Sequence, residues 1–170
     1  MQLMPKPAPG FDDPLGLLRA CHERILGHCD TLERLVSHLQ LQGADQEAQL
    51  AAARILRYFQ VGAPLHHEDE ECDLFPALRA HSAFPVIQHP GLEKLAAQHR
   101  ELDKLWIEME LALMAISRGT AADLAVQPFV VLTRTHIALE EREIFPLAER
   151  YLDEVAWAIL GNAMQARRQT

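Results

Sequence analysis

The sequence predicts an all-α protein: an antiparallel up-down-up-down four-helix bundle with an extra C-terminal helix. Apolar residues recur at steps of three and four along four long segments, and no stretch alternates at period two for long enough to form a sheet. Glycine and proline are scarce inside these segments. Helices of about 28 residues would each be about 42 Å long. Four such helices joined by short turns form an antiparallel bundle.

Capping residues, glycine and proline indicate where the first two helices begin and end. The first helix is expected to follow Asp12-Asp13-Pro14, an acidic cap with proline in the first turn, and to end at Gly43. The second is expected from about Gln46 to about Arg79. Within it, Gly62-Ala63-Pro64 should kink or restart the helix, because proline removes a backbone donor.

The third and fourth helices are delimited in the same way. The third is expected after a loop that contains Phe84-Pro85 and His89-Pro90-Gly91, and it ends at Arg118-Gly119. The fourth is expected to begin near 120–123, which has capping-box spacing with Asp in the last position. From about Leu147 a further apolar segment predicts a helix that closes one end of the bundle or meets a partner.

The predicted helices divide the 170 residues into one domain and two flanking segments. Residues 1–11 are expected to be a flexible N-terminal segment, residues 12–150 the bundle, and residues 151–170 a helix packed on the bundle or on a partner. The sequence leaves open whether the protein forms a homodimer.

Composition excludes several classes of partner. The formal net charge of −8 is opposite to that expected for a protein that binds nucleic acid or anionic lipid. No apolar run has the length of a signal peptide or of a membrane span, so a cytoplasmic protein is expected. The three cysteines are an odd number without framework spacing, which fits a reducing compartment. The nine histidines are unusually many.

An internal repeat contains several of these histidines. Residues 66–76 match residues 136–146, 70 positions further along, and each copy reads His-x-x-x-Glu and ends in Phe-Pro. A second match, 77 positions apart, aligns His22 with His99. The chain therefore consists of two copies of one helical hairpin.

The repeat predicts a cluster of six side chains in one layer of the bundle. Residues four apart share a helix face, so each His-x-x-x-Glu pair offers two neighbouring ligands. All four histidines lie on apolar stripes, and counting from Gly43 and Gly119 brings them to similar heights. The predicted metal ligands are His22, His66, Glu70, His99, His136 and Glu140.

Burial of this cluster requires neutralisation, because an unpaired buried charge costs several kcal/mol. Two divalent ions provide it if both glutamates bridge the ions and two histidines cap each one. Four protein ligands per ion leave positions for an oxo or hydroxo bridge and a small exogenous ligand. Nitrogen and oxygen donors without thiolate suit iron, manganese or zinc, and we favour two iron ions.

These residues resemble the hemerythrin-like, or HHE cation-binding, family. The family's signature is matched in order over roughly 15–150 by His22, by His66-x-x-x-Glu70 with Phe75-Pro76, by His99, and by His136-x-x-x-Glu140 with Phe145-Pro146. The resemblance implies a four-helix bundle with a non-haem di-iron centre. It also implies that the protein binds dioxygen, senses oxygen or nitric oxide, or handles iron and iron-sulfur damage.

The sequence departs from the dioxygen-carrying hemerythrins at two positions. Those proteins have a His-x-x-x-His pair on the third helix and an Asp five residues after the fourth-helix histidine. Here Leu95 and Asp103 flank His99 at that spacing, and Glu141 lies five residues after His136. The pattern is closer to the branch associated with nitric-oxide stress and iron-sulfur repair, although we expect this protein to lack the extra N-terminal cysteine-bearing module of that branch.

We therefore expect a protein that binds or senses a small diatomic ligand, dioxygen or nitric oxide, at a carboxylate-bridged iron pair. The alternatives are a di-iron enzyme or iron donor in oxidative or nitrosative stress and iron-sulfur cluster repair, and a bundle that holds structural zinc or no metal. Candidates for a second layer or a channel are Asp103, Glu33, Glu110 and His67. His67 should face solvent or lie behind the ligands, and Glu33 and Glu110 should line a channel or pair with arginines.

Overall fold

The computed structural model describes residues 9–169, and residues 1–8 of the predicted flexible segment 1–11 lie outside this range. The helices are α1 (Pro14–Gln42), α2 (Gln46–Glu68), α3 (Phe75–Ala80), α4 (His89–Ser117), α5 (Gln127–Leu139), α6 (Phe145–Tyr151) and α7 (Glu154–Arg167). Two π-helical segments, π1 (Asp69–Leu74) and π2 (Glu140–Ile144), join α2 to α3 and α5 to α6 without a break. A 3-10 turn, Val86–Gln88, precedes α4.

Four long rods form the bundle: α1, α2–π1–α3, α4 and α5–π2–α6. Helix α2 packs against α1 and α4, and α5 packs against the same two neighbours. No β-strand occurs between residues 9 and 169. The prediction of an all-α antiparallel bundle with an additional C-terminal helix is confirmed.

Local sequence sets most of the helix ends. The carboxylates of Asp13, Asp45 and Asp153 cap α1, α2 and α7 by accepting hydrogen bonds of 2.8–2.9 Å from the backbone N–H three residues later. Gly43 and Gly119 end α1 and α4 with φ of 71° and 78°, a conformation that residues with a side chain rarely adopt.

The second helix does not restart at Pro64, which was one of the two outcomes expected there. Helix α2 continues through Gly62-Ala63-Pro64, and the change in helical geometry comes later, at π1. Pro64 and Gln60 both lie on the exposed side of the helix, where a carbonyl without its helical partner can be hydrated.

Two other boundaries were predicted wrongly. His89-Pro90-Gly91 belongs to the first turn of α4 and not to the preceding loop, since proline is well tolerated in a first turn. Helix α5 begins at Gln127, with Pro128 in its first turn, and not near 120–123. In the intervening non-helical segment Leu124 and Val126 are buried in the core.

The core consists of two apolar clusters at opposite ends of the bundle. One includes Leu32, Ile55 and Leu113, and the other includes Leu18 and Phe145. The four predicted histidine ligands and the two glutamates belong to neither cluster, although all six are buried. They form a polar layer between the two apolar clusters, and Asp69 and Thr133 are the other buried polar residues in the described part of the chain.

Helix α7 lies against the bundle. Leu160 and Met164 are buried in the cluster that contains Phe145. Near its C-terminal end Arg167 and Arg168 both contact the carboxylate of Asp69, which is fully buried in π1. The chain end is thereby joined to the segment that carries Glu70.

Candidate metal centre

The six predicted ligands meet in the polar layer between the two apolar clusters. One potential ligand atom from each of His22, His66, Glu70 and Glu140 lies within 4.8 Å of the other three atoms. A second group of the same kind consists of Glu70, His99, His136 and Glu140. Both glutamates are shared, and each group has its own pair of histidines.

The two oxygens of Glu70 face different histidine pairs. Oε1 lies 3.5 Å from His66 Nε2 and 3.8 Å from His22 Nε2, and Oε2 lies 3.3 Å from His99 Nε2. Glu140 is divided similarly, with Oε2 at 3.2 Å from His22 Nε2 and Oε1 at 3.2 Å from His136 Nε2. This is the arrangement that a pair of bridging carboxylates needs.

Five of the inward-facing atoms lack hydrogen-bond partners. Neither oxygen of Glu70 or of Glu140 makes a hydrogen bond of acceptable geometry, and neither does His22 Nε2. All five atoms are buried, where an unpartnered polar group is costly. These atoms could hold a metal cation.

Hydrogen bonds on the far side of three rings fix their orientation. The Nδ1–H of His22 donates to Glu141 at 2.8 Å, and the Nδ1–H of His99 donates to Glu71 at 2.7 Å. His136 Nδ1 lies 3.1 Å from the Gln98 Oε1 acceptor. A carboxylate or amide oxygen behind Nδ1 leaves the Nε2 lone pair directed inward, as a metal-ligating histidine requires.

Comparison with known proteins agrees with this geometry. The family model of the hemerythrin HHE cation-binding domain matches residues 13–148. The chain belongs to this family. A protein of Haemophilus influenzae described only as uncharacterized is 31% identical to the chain over 173 residues, which cover 99% of this chain and 98% of the relative.

The π-helical segments place both carboxylates of this hemerythrin-like domain at the same point of the repeat. Glu140 is the first residue of π2, and Glu70 is the second of π1. In each case the glutamate carbonyl accepts a hydrogen bond from the N–H of the phenylalanine five residues later, Phe75 or Phe145. The next residue in both copies is a proline, and π-helical turns inside α-helices are frequent at functional sites.

Opposite charges dominate the electrostatics of the cluster. Burial alone would lower the pKa of His22, but the carboxylates of Glu140 and Glu70 raise that pKa to about 10. Burial alone would raise the pKa of Glu70, but the imidazoles of His66, His22 and His99 hold it well below its usual value. The carboxylates therefore stay charged, and protonated imidazoles or bound metal cations can balance them.

An apolar cavity of about 60 Å³ adjoins the cluster. His66 and His136 line it, and so do His67, Thr133 and Asp103. Its apolar walls are contributed by Ile25, Phe59, Leu102, Trp106, Phe129 and Ile137. This volume exceeds the roughly 10–15 Å³ that one water molecule needs, so a diatomic molecule fits.

Of the other four predicted candidates, one contacts a candidate ligand, one lies beside that residue, and two are paired elsewhere. The ring of His67 does not face solvent: it stacks on His99 with centroids 3.9 Å apart. Asp103 is largely exposed, and its Oδ1 lies 4.0 Å from His67 Nδ1. Glu33 forms an ion pair with Arg134, with Nη2 and Oε2 2.7 Å apart. Glu110 accepts a hydrogen bond from Gln60 at 2.8 Å, so neither Glu33 nor Glu110 is part of the cluster.

Sequence analysis missed the orienting carboxylates Glu71 and Glu141. In the sequence each is one of several acids that follow a candidate ligand, yet both are only about one-third exposed and contact candidate ligands. The signal was present, since Glu71 and Glu141 occupy equivalent positions of the 70-residue repeat.

None of the helices in the described part of the chain is both long and apolar enough to cross a lipid bilayer.

Proposed function

We propose that this domain binds two iron ions and that a small diatomic ligand, dioxygen or nitric oxide, binds to them from the adjoining cavity. His22 and His66 would cap one ion and His99 and His136 the other, while the two glutamates bridge the pair. The iron pair would supply open coordination positions and one-electron chemistry. The chain supplies the ligands, orients them and excludes bulk water.

The contact between His99 and His136 carries this proposal. Their Nε2 atoms are 2.9 Å apart, and each ring has an oxygen acceptor behind its Nδ1, Glu71 for His99 and Gln98 for His136. Two neutral rings in these tautomers would therefore direct lone pairs at each other inside the protein. A proton on His99, whose pKa is raised, relieves that repulsion in the metal-free protein, and a metal cation shared with the carboxylates of Glu70 and Glu140 would replace the proton.

The donor set supports iron. It consists of imidazole nitrogens and carboxylate oxygens without thiolate, a combination that suits iron, manganese and zinc. Each group offers four protein donors, which leaves positions free on an ion that prefers five or six ligands. The cavity reaches His66 on one side of the pair and His136 on the other, so a small ligand could approach either ion.

The size and lining of the cavity favour a diatomic ligand over a larger substrate. Its volume of about 60 Å³ is small, and most of its walls are aliphatic or aromatic. The same centre could instead turn over peroxide or nitric oxide, or release iron for cluster repair, and this enzyme or donor function is our alternative. We also propose a cytoplasmic protein without nucleic-acid partners, in keeping with its net charge of −8.

Metal analysis and ligand titration of the full chain test the proposal. Protein purified from iron-rich medium should contain about two irons per chain and show the absorption of a carboxylate-bridged ferric pair after oxidation. The reduced protein should then form a stable adduct with nitric oxide or dioxygen. Rapid consumption of added reductant would favour the enzyme instead, whereas zinc at full occupancy with no binding of either gas would overturn the proposal.

A further inference from the structure

We propose that the hydroxyl of Thr133 donates a hydrogen bond to the small ligand in the cavity, and that Thr133 thereby selects for ligands with an acceptor atom. This inference rests on the proposed function, because it assigns a role within the same ligand pocket. It concerns a residue of the chain that is not a metal ligand.

The orientation of Thr133 is the first observation behind this inference. Its side chain lies in α5 and is 3% exposed, and Oγ1 makes no hydrogen bond. Other helical threonines behave differently: Thr31 and Thr135 each donate to the carbonyl four residues earlier, Gly27 and Val131, at 2.8 Å. That local bond is the usual way in which a threonine hydroxyl is satisfied inside a helix. Thr133 does not make it, although it belongs to the same helix as Thr135.

The position of Thr133 is the second observation. It lines the cavity three residues before His136, on the same face of α5. The neighbouring α5 side chains in the cavity wall, Phe129 and Ile137, are apolar. Thr133 is therefore the hydroxyl through which this helix can contact a ligand held beside His136.

A competing partner for the hydroxyl is weak. The thiol of Cys29 lies within hydrogen-bonding reach of Thr133, which lowers the pKa of the thiol, but burial outweighs this and raises that pKa to about 11. Cys29 therefore remains protonated at neutral pH, and a thiol is a poor hydrogen-bond acceptor. The threonine hydrogen stays free for a better acceptor in the cavity.

Other polar groups around the cavity are less suited to this role. His66 and His136 belong to the candidate metal ligands, and the ring of His67 stacks on His99. Asp103 is largely exposed at the edge of the cavity and, as a carboxylate, accepts hydrogen bonds. Nδ1 of His66 is also buried without a hydrogen-bond partner, but His66 is a candidate metal ligand; among the other residues named here, Thr133 combines a donor, 3% exposure and no hydrogen-bonded partner.

The test uses the iron-loaded, reduced full chain with nitric oxide as the probe. Thr133→Val removes the hydroxyl at nearly constant volume, and Thr133→Ser retains it. Thr135→Val is the matched control, because it removes an exposed hydroxyl from the same helix. Infrared spectra of bound nitric oxide in light and heavy water give the N–O stretching frequency, and stopped-flow displacement gives the dissociation rate.

The hydrogen bond predicts a distinct pattern across these variants. In Thr133→Val the N–O stretch should rise and lose its sensitivity to heavy water, and dissociation should be about threefold to tenfold faster, the factor expected for one neutral hydrogen bond. Thr133→Ser should restore the wild-type frequency, and Thr135→Val should leave it unchanged. Iron content and melting temperature, measured for every variant, verify that the centre is assembled.

The role of Thr133 and the proposed function can be overturned separately. An identical frequency and rate in wild type and iron-replete Thr133→Val would overturn the role of Thr133 and leave the proposed function standing. Failure of the iron-loaded wild type to bind nitric oxide or dioxygen would overturn both.

Discussion

His22 donates its Nδ1–H to the carboxylate of Glu141 across the bundle at 2.8 Å, although the two residues lie 119 positions apart. In the equivalent bond, His99 of the second hairpin donates to Glu71 of the first hairpin at 2.7 Å. Each hairpin therefore supplies the carboxylate that orients the first histidine of the other. The duplicated halves depend on each other for a complete site, so the site forms only when both halves have folded.

Glu141→Ala should weaken metal binding without removing a ligand. The imidazole of His22 would lose the acceptor that fixes its tautomer and ring plane, and loss of such an outer partner typically costs tenfold to 100-fold in metal affinity. Competition with a chromogenic chelator measures this change. Arg19 forms ion pairs with both Glu141, at 3.4 Å, and Glu149, at 3.0 Å. Glu149→Ala is therefore the matched control, because Glu149 shares this partner but forms no ion pair with a candidate ligand. Equal affinities in the two variants would contradict the orienting role of Glu141.

Glu140→Ala should have a larger effect, because Glu140 contributes one oxygen to each half of the centre. We expect the metal content to fall from two ions per chain to one or fewer, and the stabilisation by metal to fall with it, since binding and folding are linked. Elemental analysis and melting curves with and without chelator measure both. The exposed Glu143, in the adjacent turn, provides Glu143→Ala as the control. Full metal content in Glu140→Ala would refute the ligand assignment.

The sequence contained enough information to predict the bundle and to single out the six side chains that meet in its centre. Helical periodicity and the His-x-x-x-Glu pattern are both local signals, and the His-x-x-x-Glu pattern occurs twice, 70 residues apart. Both glutamates then appear in the predicted layer because each lies one turn after an inward-facing histidine. A single copy of the pattern would have left the second half of the site unrecognised.

The remaining features depend on contacts between distant segments. Helix α5 begins at Gln127 and not near the predicted 120–123. Leu124 and Val126 are buried in the non-helical segment before it, which helical periodicity does not reveal. Asp69 reads as one more acid in a charged run, yet the two arginines that neutralise it lie 98 and 99 residues further along the chain. Tertiary packing and long-range charge pairs of this kind leave no local signature.

Asp69→Asn should destabilise the protein, because it weakens the ion pairs that attach the end of α7 to π1. Asp69 is fully buried and contacts the guanidinium groups of both Arg167 and Arg168, the latter at 2.6 Å. Breaking a buried pair costs about 3–5 kcal/mol, and we expect about 2–3 kcal/mol here because both arginines are partly exposed. Urea unfolding of the chelated protein measures the change. Glu68→Gln, which alters a half-exposed partner of Arg167, should cost less than about 1 kcal/mol. Similar costs for the two variants would contradict this account.

Metal-free protein should lose stability as the pH rises from 7 to 10. The folded-state pKa of His22 is raised to about 10, against about 6.5 when unfolded, so its contribution is complete below pH 6.5 and is lost as the pH rises through 10. His99, whose pKa is also raised, adds to the same trend. Each such group can lower the free energy of unfolding by up to about 1.4 kcal/mol per pH unit.

Denaturant titrations at several pH values measure this dependence. His22→Gln should flatten the profile of the chelated protein between pH 7 and 10, because its side chain does not titrate in that range. Metal-loaded wild type should also give a flatter profile, since a bound cation replaces the proton on His22. A chelated wild type whose stability is constant or increases over this window would contradict the prediction.

Two glycine substitutions should shift stability in opposite directions. A Cβ on Gly161 in α7 would lie 2.0 Å from the backbone oxygen of Phe11, so Gly161→Ala must push the segment before α1 away from α7. We expect a net loss of about 1–2 kcal/mol in the free energy of unfolding, because overpacking exceeds the gain in helix propensity.

Gly27 in α1 is exposed and nothing lies within 4 Å of its added Cβ, so Gly27→Ala should raise the free energy of unfolding by about 0.5–1 kcal/mol. Urea unfolding of both variants measures the two effects, and stabilisation by Gly161→Ala would mean that Phe11 does not pack against α7.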